Sequence, residues 1–334
     1  MSHDLDNSTG KPAMAYVGEE PWHGLGEKLP PGQPIEKWVE AARLKWNIET
    51  LPIQYQFQDR MRVMPDRFVL ARDDTGAALS IVSADYQVVQ PREVLEFYRD
   101  LVAERRYTLE TAGALDDGRK VWALAKTGLV RGVADNPADK LGAYVLLATS
   151  CDKSLATTAT FTSIRVVCQN TLSFAFEDVK RKQRRHIKVD HMKKFNPTPI
   201  KEQLGLIDEA WDRFLQQINQ MTRYRLKNEV AKKFFESLFL SDQDIEEGKS
   251  PANSKYTEIN HIASLFFSAK GQNLATSKET LWGAVNAVTY YVDHVRSTKS
   301  VERIDSAWFG TGASLKEKAW NRAMELIEIE RQEQ

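Results

Sequence analysis

The pattern of apolar and polar positions changes character near residue 197. Before that point, short β-prone runs such as 53–58 alternate apolar and polar residues and are separated by turn residues. A period of two predicts β-strands. After Pro197 and Pro199, apolar residues recur at three- and four-residue spacing, which is typical of helices. The helical periods cover roughly residues 200–222, 226–240, 256–268, 278–297 and 314–330.

Turn signals and two helical periods organise the β-prone half. Asp116-Asp117-Gly118 separates two β-prone runs and predicts a hairpin. A second hairpin is predicted for 142–150 and 155–163, and helical spacing interrupts the strands at 35–46 and 91–104. Strands followed by helices predict an α+β fold, with a mostly antiparallel sheet and packed helices in the N-terminal part and a helical C-terminal part.

The same change of pattern predicts how the chain divides. Residues 1–14 are polar and have few apolar side chains, which predicts a disordered tail. Residues 15–197 are predicted to form an α+β core domain that contains a basic segment at 180–194. Residues 198–334 are predicted to form a helical region that packs on the core or is appended to it.

The stretch 161–195 joins an amphipathic half to a basic half. Apolar positions from 164 to 176 lie on one face of a helix, and Ser163 is the predicted N-cap of that helix. Positions 164, 166 and 168 also alternate, so a strand is the alternative. The polar face of the predicted helix carries Arg165, Gln169 and Asn170.

The second half of this stretch is strongly basic, although 46 basic and 46 acidic residues leave the chain without net charge. Residues 180–194 hold Lys and Arg at eight positions and a single acid, Asp190. Dense basic runs attract phosphates because binding releases counterions. A solvated loop or a strand edge guarded by lysines is the alternative. The candidate nucleic-acid-binding residues are Arg165, Gln169, Asn170, Lys180, Arg181, Lys182, Arg184, Arg185 and Lys188.

Composition and motifs exclude several other classes. The two cysteines, Cys151 and Cys168, suit a reducing cytoplasm. We expect no signal peptide, since residues 1–14 lack a basic start and an apolar run, and no transmembrane helix, since no apolar run is long enough. Phosphate-binding loops, zinc motifs and nucleophile elbows are absent from the sequence. We therefore predict no cofactor, no metal and no catalytic residue, and an enzyme is only the third hypothesis.

Three segments carry a resemblance to a known family: 19–30, 160–175 and 281–319. Over about residues 14–328, the sequence resembles the phage/plasmid-like protein family that carries a domain of unknown function. The resemblance implies a mobile-element origin and the cytoplasm of a bacterial host cell. Mobile elements often encode single-strand annealing proteins with a sheet-plus-helix core, similar to the Rad-fifty-two superfamily. The family has no catalytic residue that could be carried over.

The leading hypothesis is a phage- or plasmid-encoded nucleic-acid-binding protein, such as a single-strand DNA annealing or recombination factor. Its expected partner is single-stranded nucleic acid, with DNA favoured, and such a factor is expected to form a homo-oligomeric ring or filament. No membrane partner is expected. The alternative is a non-enzymatic interaction module for host takeover or counter-defence, whose basic segment binds an acidic host protein.

Overall fold

A computed structural model describes residues 5–21, 24–105, 107–168, 170–174, 176–178, 183–185, 187–189, 191–192, 195–196, 198, 202, 207–296 and 303–333. The strands are β1 (Met14–Tyr16), β2 (Glu27–Lys28), β3 (Ile48–Phe57), β4 (Arg60–Arg72), β5 (Ala78–Ser83), β6 (Thr108–Leu115), β7 (Lys120–Val133), β8 (Asn136–Ser150), β9 (Thr157–Arg165), β10 (Asn170–Phe174), β11 (Phe176–Asp178), β12 (Gln183–Arg185) and β13 (Ile187–Val189). The helices are α1 (Ile35–Ala41), α2 (Pro91–Arg105), α3 (Ile207–Arg223), α4 (Asn228–Ser237), α5 (Asp242–Glu246), α6 (Tyr256–Ser268), α7 (Leu281–Tyr290), α8 (Arg303–Trp308) and α9 (Thr311–Glu333).

The largest sheet has the strand order β10-β9-β8-β7-β6-β1-β2, and β13 pairs with β9 beside this path. β1 and β2 are parallel, whereas β1–β6, β6–β7 and β9–β13 are antiparallel. The predicted fold class is confirmed, since the sheets are mostly antiparallel and the C-terminal part is helical. The hairpin around Asp116-Asp117-Gly118 is also confirmed, with Leu115 paired to Lys120.

The chain forms two compact units. Unit 1 comprises residues 1–128, 144–161 and 175–207, and unit 2 comprises 129–143, 162–174 and 208–334. Because β7, β8 and β9 each contribute residues to both, the division differs from a single boundary after residue 197. A sequence boundary follows local composition, whereas the units follow contacts between distant segments.

Unit 1 is built on helix α2 and the strands that surround its buried face. Val94, Leu95 and Tyr98 of α2 are fully buried. The Tyr98 hydroxyl lies 2.9 Å from the carbonyl oxygens of Ala123 and Val145 and accepts a hydrogen bond from the Leu147 amide. A phenol buried in this way needs such partners, because an unpaired hydroxyl in the core would be destabilising.

The predicted disordered tail is wrong from Leu5 onward, whereas residues 1–4 lie outside the described part. Leu5 is buried and forms a bridge with Leu115. The Asp6 carboxylate accepts a 2.6 Å hydrogen bond from Arg72, whose guanidinium also lies 4.1 Å from the Trp46 ring. Partners more than sixty residues away hold this short polar segment, and local composition does not reveal them.

Unit 2 is organised around helix α7. Every residue from Leu281 to Thr289 is buried, so the helix is enclosed on all sides, and its two polar members, Asn286 and Thr289, hydrogen-bond within the interior. A turn of π-helix, Tyr291–Val295, follows α7 directly. Trp211 and Phe214 of α3 stack with each other, and Phe214 stacks on Trp320 of α9 at 4.9 Å.

The helix predicted from 164 to 176 is wrong. β9 continues through Arg165, a turn covers residues 166–168, and β10 begins at Asn170. The predicted N-cap Ser163 instead donates a hydrogen bond from its hydroxyl to Leu172 in the neighbouring strand. The apolar positions that reproduce a helical period are divided among β9, the turn at 166–168, β10 and β11.

Candidate functional site

The three-stranded sheet of unit 1 extends into an exposed two-stranded ribbon. β5 pairs with β4 only from Arg67 to Ala71. β3 and β4 continue as a pair from Gln54–Val63 to Phe57–Arg60. Residues 54–63, the ribbon tip, are all exposed. Gln58 has a φ of 54°. The two-residue turns that commonly close hairpins require a positive φ at their first position.

One face of the ribbon tip combines aromatic and cationic side chains. Tyr55 lies opposite Arg62 and Phe57 lies opposite Arg60. Directly opposite residues share a face of a sheet, and so do residues two apart in one strand. The aromatic–arginine face therefore consists of Tyr55, Phe57, Arg60 and Arg62. Tyr55 is 44% and Phe57 is 53% exposed, and the Arg62 guanidinium lies 5.3 Å from the Phe57 ring centre.

The two arginines of this face are available for a partner. Among the residues that the structure describes, neither Arg60 nor Arg62 has a carboxylate within ion-pairing distance. The contact of Arg62 with Phe57 holds the guanidinium against the ring and leaves its hydrogen-bond donors open. The face therefore offers ring surfaces beside unneutralised guanidinium groups.

The opposite face of the ribbon tip is uncharged. By the same alternation it carries Gln54, Gln56, Met61 and Val63, which we term the apolar–amide face. Met61 is 62% and Val63 is 58% exposed, and Met61 is the most exposed large apolar side chain among the described residues. Apolar side chains exposed together on a protruding element mark an interaction surface.

The ribbon carries features that prevent pairing along its edges. β3 is an edge strand of the three-stranded sheet, and Pro52 within it has no N–H to donate. β4 contains Pro65 and then Asp66 with a φ of 55°, and the register shifts between Pro52 and Gln54. Prolines and bulges are typical of edges that must stay unpaired. These features lie at the base of the ribbon tip, where they interrupt the edges of β3 and β4, and the tip itself is distinguished by its exposed side chains.

Part of the basic segment also belongs to unit 1. β12 pairs with β11, which places Arg184 opposite Glu177 and Arg185 opposite Phe176. β13 pairs with β9, which places Lys188 opposite Thr158. Lys180, Arg181 and Lys182 lie outside the described residues. Residues 183–185 and 187–189 of the segment are thus extended chain within sheets, whereas 191–192 form a turn.

Arg165 does not lie on an exposed face as predicted. Its side chain is 1% exposed and forms two hydrogen bonds with Asp139, from Nε at 2.6 Å and from Nη2 at 2.8 Å. Nη2 also donates to the hydroxyl of Ser277 at 2.6 Å. The Asp139 carboxylate, itself fully buried, accepts a further hydrogen bond from Thr276. Arg165 is therefore part of the interior of unit 2, where the Asp139 carboxylate neutralises its charge.

Asn170 is likewise buried, and Gln169 lies outside the described residues. The Asn170 amide donates to the backbone oxygen of Asn286 at 3.1 Å. The next residue, Thr171, donates through its amide and hydroxyl to Asp293, which is also paired with Lys316 at 2.9 Å. The predicted contact face of Arg165 and Asn170 is therefore replaced by hydrogen bonds that tie β9 to β8 and to the loop at 271–277, and β10 to the helical segments of unit 2.

The two cysteine thiols are poor nucleophiles. Burial raises the pKa of the Cys151 thiol to about 12 and also raises the pKa of Cys168. A thiol is nucleophilic as its thiolate, which is scarce far below the pKa. The described residues also contain no cluster of three His, Cys, Asp or Glu side chains that could hold a metal ion.

We therefore expect both thiols to resist alkylation in the folded protein. With a pKa of about 12, about one Cys151 thiol in ten thousand is ionised at pH 8. Mass spectrometry after brief iodoacetamide treatment should find both cysteines unmodified in native protein and modified in guanidinium chloride. Native labelling at the rate of the unfolded chain would contradict this assignment.

The alternating run 53–58 is predicted as a strand from the sequence, but the exposed face that it presents is not. An available signal was the pair of aromatics, Tyr55 and Phe57, followed after two residues by Arg60 and Arg62. An alternating strand ordinarily buries its apolar face, so the sequence alone favours packing for these rings. Only the exposure of the ribbon shows that this face meets solvent.

Comparisons with known proteins give one match. A family model described as Domain of unknown function (DUF932) matches residues 78–308, which is more than half of the chain. No curated protein and no solved structure matches the chain. The match contains the basic segment and Arg165, whereas the ribbon tip precedes it. The description indicates no phage or plasmid origin, which stays a prediction from the resemblance. Every described helix is too short or too polar to span a bilayer.

Proposed function

The chain belongs to the family of the Domain of unknown function (DUF932), and on that premise we propose that it is a non-enzymatic protein that binds single-stranded nucleic acid. The observation that carries this proposal is the aromatic–arginine face of the ribbon tip. Exposed aromatic rings provide platforms for bases, and neighbouring arginines contact phosphates. DNA is the favoured partner, and a role in annealing or recombination is the process to test.

The spacing of the two rings favours an extended strand over a stacked helix. Residues two apart in a strand are about 6.8 Å apart, whereas stacked nucleotides in duplex DNA rise by about 3.4 Å. Tyr55 and Phe57 can therefore each take one base when the nucleotide strand is stretched. Each base stacked on an aromatic ring stabilises such a complex by about 1–3 kcal/mol.

The net charges of the ribbon and of the basic segment differ, and we assign them different contacts with the nucleic acid. Asp59 and Asp66 offset Arg60 and Arg62, so residues 53–66 have no net charge. The basic segment 180–194 carries eight Lys and Arg residues against one acid. We therefore assign base stacking to the ribbon tip and most phosphate contacts to the basic segment, which includes Arg184, Arg185 and Lys188.

This division predicts a selective change in salt dependence. Replacing Arg184→Ala and Arg185→Ala together should reduce the slope of log binding constant against log salt by about 1.4, because each lost phosphate contact contributes about 0.7 for single strands. Fluorescence anisotropy of a labelled single-stranded oligonucleotide across a salt series measures the slope. The matched control is Arg213→Ala with Arg223→Ala, which removes two arginines of α3 in unit 2 and should leave the slope unchanged.

The outcomes separate the proposal from its alternative. Absence of oligonucleotide binding at low salt would overturn the proposal. In that case, recovery of an acidic host protein from nuclease-treated lysate would favour the interaction module. A ring or filament, seen by electron microscopy only with single strands, is what an annealing factor would show.

A further inference from the structure

We infer that the ribbon tip inserts between neighbouring bases and opens a base step, so that the preferred ligand is nucleic acid with unpaired or weakly stacked positions. This inference rests on the proposed function and adds what happens to the bound nucleic acid. It begins from the two faces of the ribbon tip, both of which present exposed apolar groups at the same end of one hairpin.

The apolar–amide face has no role in the proposed contact with a single strand. Met61 and Val63 lie on the face opposite Tyr55 and Phe57 and are more exposed than either ring. A ribbon that only supported a strand on its aromatic side would gain nothing from apolar side chains on the other. Solvent contact of these groups is unfavourable until a second apolar surface covers them.

The occupant of this second face is inferred from charge. The face carries no charged residue, whereas the arginines that match phosphates lie on the opposite face. A phosphate backbone is therefore bound on the aromatic–arginine side, and a partner without charge fits the apolar–amide side. Within the same nucleic acid, the faces of the bases are the apolar surfaces, and Gln54 and Gln56 can hydrogen-bond base edges there.

Insertion between two bases has a geometric consequence. Side-chain layers on the two faces of a sheet require about 10 Å between the surfaces that cover them, whereas stacked bases are about 3.4 Å apart. The base step that receives the ribbon must therefore unstack. Apolar wedges such as Phe and Met open base steps in this way in other DNA-binding proteins.

The ligand preference follows from where unstacking is easiest. Opening a step is least unfavourable at mismatched, gapped or single-stranded positions. We therefore expect a gapped or mismatched duplex, and a single strand, to bind at least about tenfold more tightly than the matched continuous duplex. Among the described strands, β5 pairs with β4 only from Arg67 to Ala71, so the tip is free to enter the step.

The test uses an oligonucleotide with 2-aminopurine, whose fluorescence rises when it unstacks, and follows anisotropy of a second label in parallel. The full-length protein should bind and raise the 2-aminopurine signal several-fold. The double variant Met61→Gln with Val63→Thr should lose most of the signal rise, and its preference for the gapped over the continuous duplex should fall below about threefold. The matched control is Val130→Thr, a half-exposed valine of β7, which should change neither reading.

The two readings distinguish failure of this inference from failure of the proposed function. Absence of anisotropy change in the wild type would overturn both. Binding by the wild type without a 2-aminopurine rise, or a double variant that keeps the rise, would overturn the wedge alone. Conversion of an oligomer into a monomer by Met61→Gln with Val63→Thr, seen by sedimentation, would assign this face to a second copy and also overturn the wedge.

Discussion

Replacing Asp139→Ala is expected to lower the free energy of unfolding by about 3–5 kcal/mol, because it leaves the buried Arg165 guanidinium without its counter-charge. The Asp139 carboxylate is fully buried and accepts two hydrogen bonds from Arg165 and one from Thr276. Removing the acid leaves the positive charge of Arg165, whose side chain is 1% exposed, without a negative partner. Urea unfolding followed by circular dichroism and tryptophan fluorescence measures the loss.

The matched control removes both charges. Asp139→Leu combined with Arg165→Met replaces the pair by apolar side chains, which in other proteins is often neutral or stabilising. This double variant should therefore regain most of the stability that Asp139→Ala loses. A loss below about 1 kcal/mol for Asp139→Ala would show that the pair behaves like an exposed surface pair and would contradict its assigned role.

Replacing Tyr55→Ala and Phe57→Ala together is expected to weaken binding of a single-stranded oligonucleotide by at least about 30-fold. Two stacking contacts of about 1 kcal/mol each already give this factor, and stronger stacking gives more. The salt slope should change little, because both side chains are uncharged. Anisotropy titrations at two salt concentrations measure the affinity and the slope together.

The control for this prediction keeps the rings. Tyr55→Phe with Phe57→Tyr preserves both aromatic surfaces and moves one hydroxyl, so its affinity should stay within about threefold of wild type. Unchanged binding by the alanine variant would show that the rings do not meet bases. Equal loss in both double variants would place the effect in the hydroxyl group instead of the stacking surface.

The sequence predicts the fold class because its signals are local. The period of two before residue 197, the turn at Asp116-Asp117-Gly118 and the helical period of α2 all depend on neighbouring residues. The stretch from 164 to 176 is different, because apolar residues of several strands and the turn between β9 and β10 reproduce a helical spacing. Only the pairing of Ser163 with Leu172 across the strands decides between the two structures.

The candidate site could be predicted only in part, for a related reason. The charge of the basic segment is visible in the sequence, but the burial of Arg165 depends on Asp139, Thr276 and Ser277, which lie far along the chain. The rings at Tyr55 and Phe57 show the opposite case. Their alternation is typical of a buried face, yet both rings are exposed in the ribbon.

Pro52, Pro65 and the bulge at Asp66 have a consequence for the protein at high concentration. Long exposed strands with apolar side chains are templates for fibril growth, since each free edge can recruit another chain. In this ribbon the interrupted edges deny an incoming strand a continuous ladder of hydrogen bonds. The interrupted strands therefore disfavour amyloid-like assembly through the exposed apolar side chains of this ribbon.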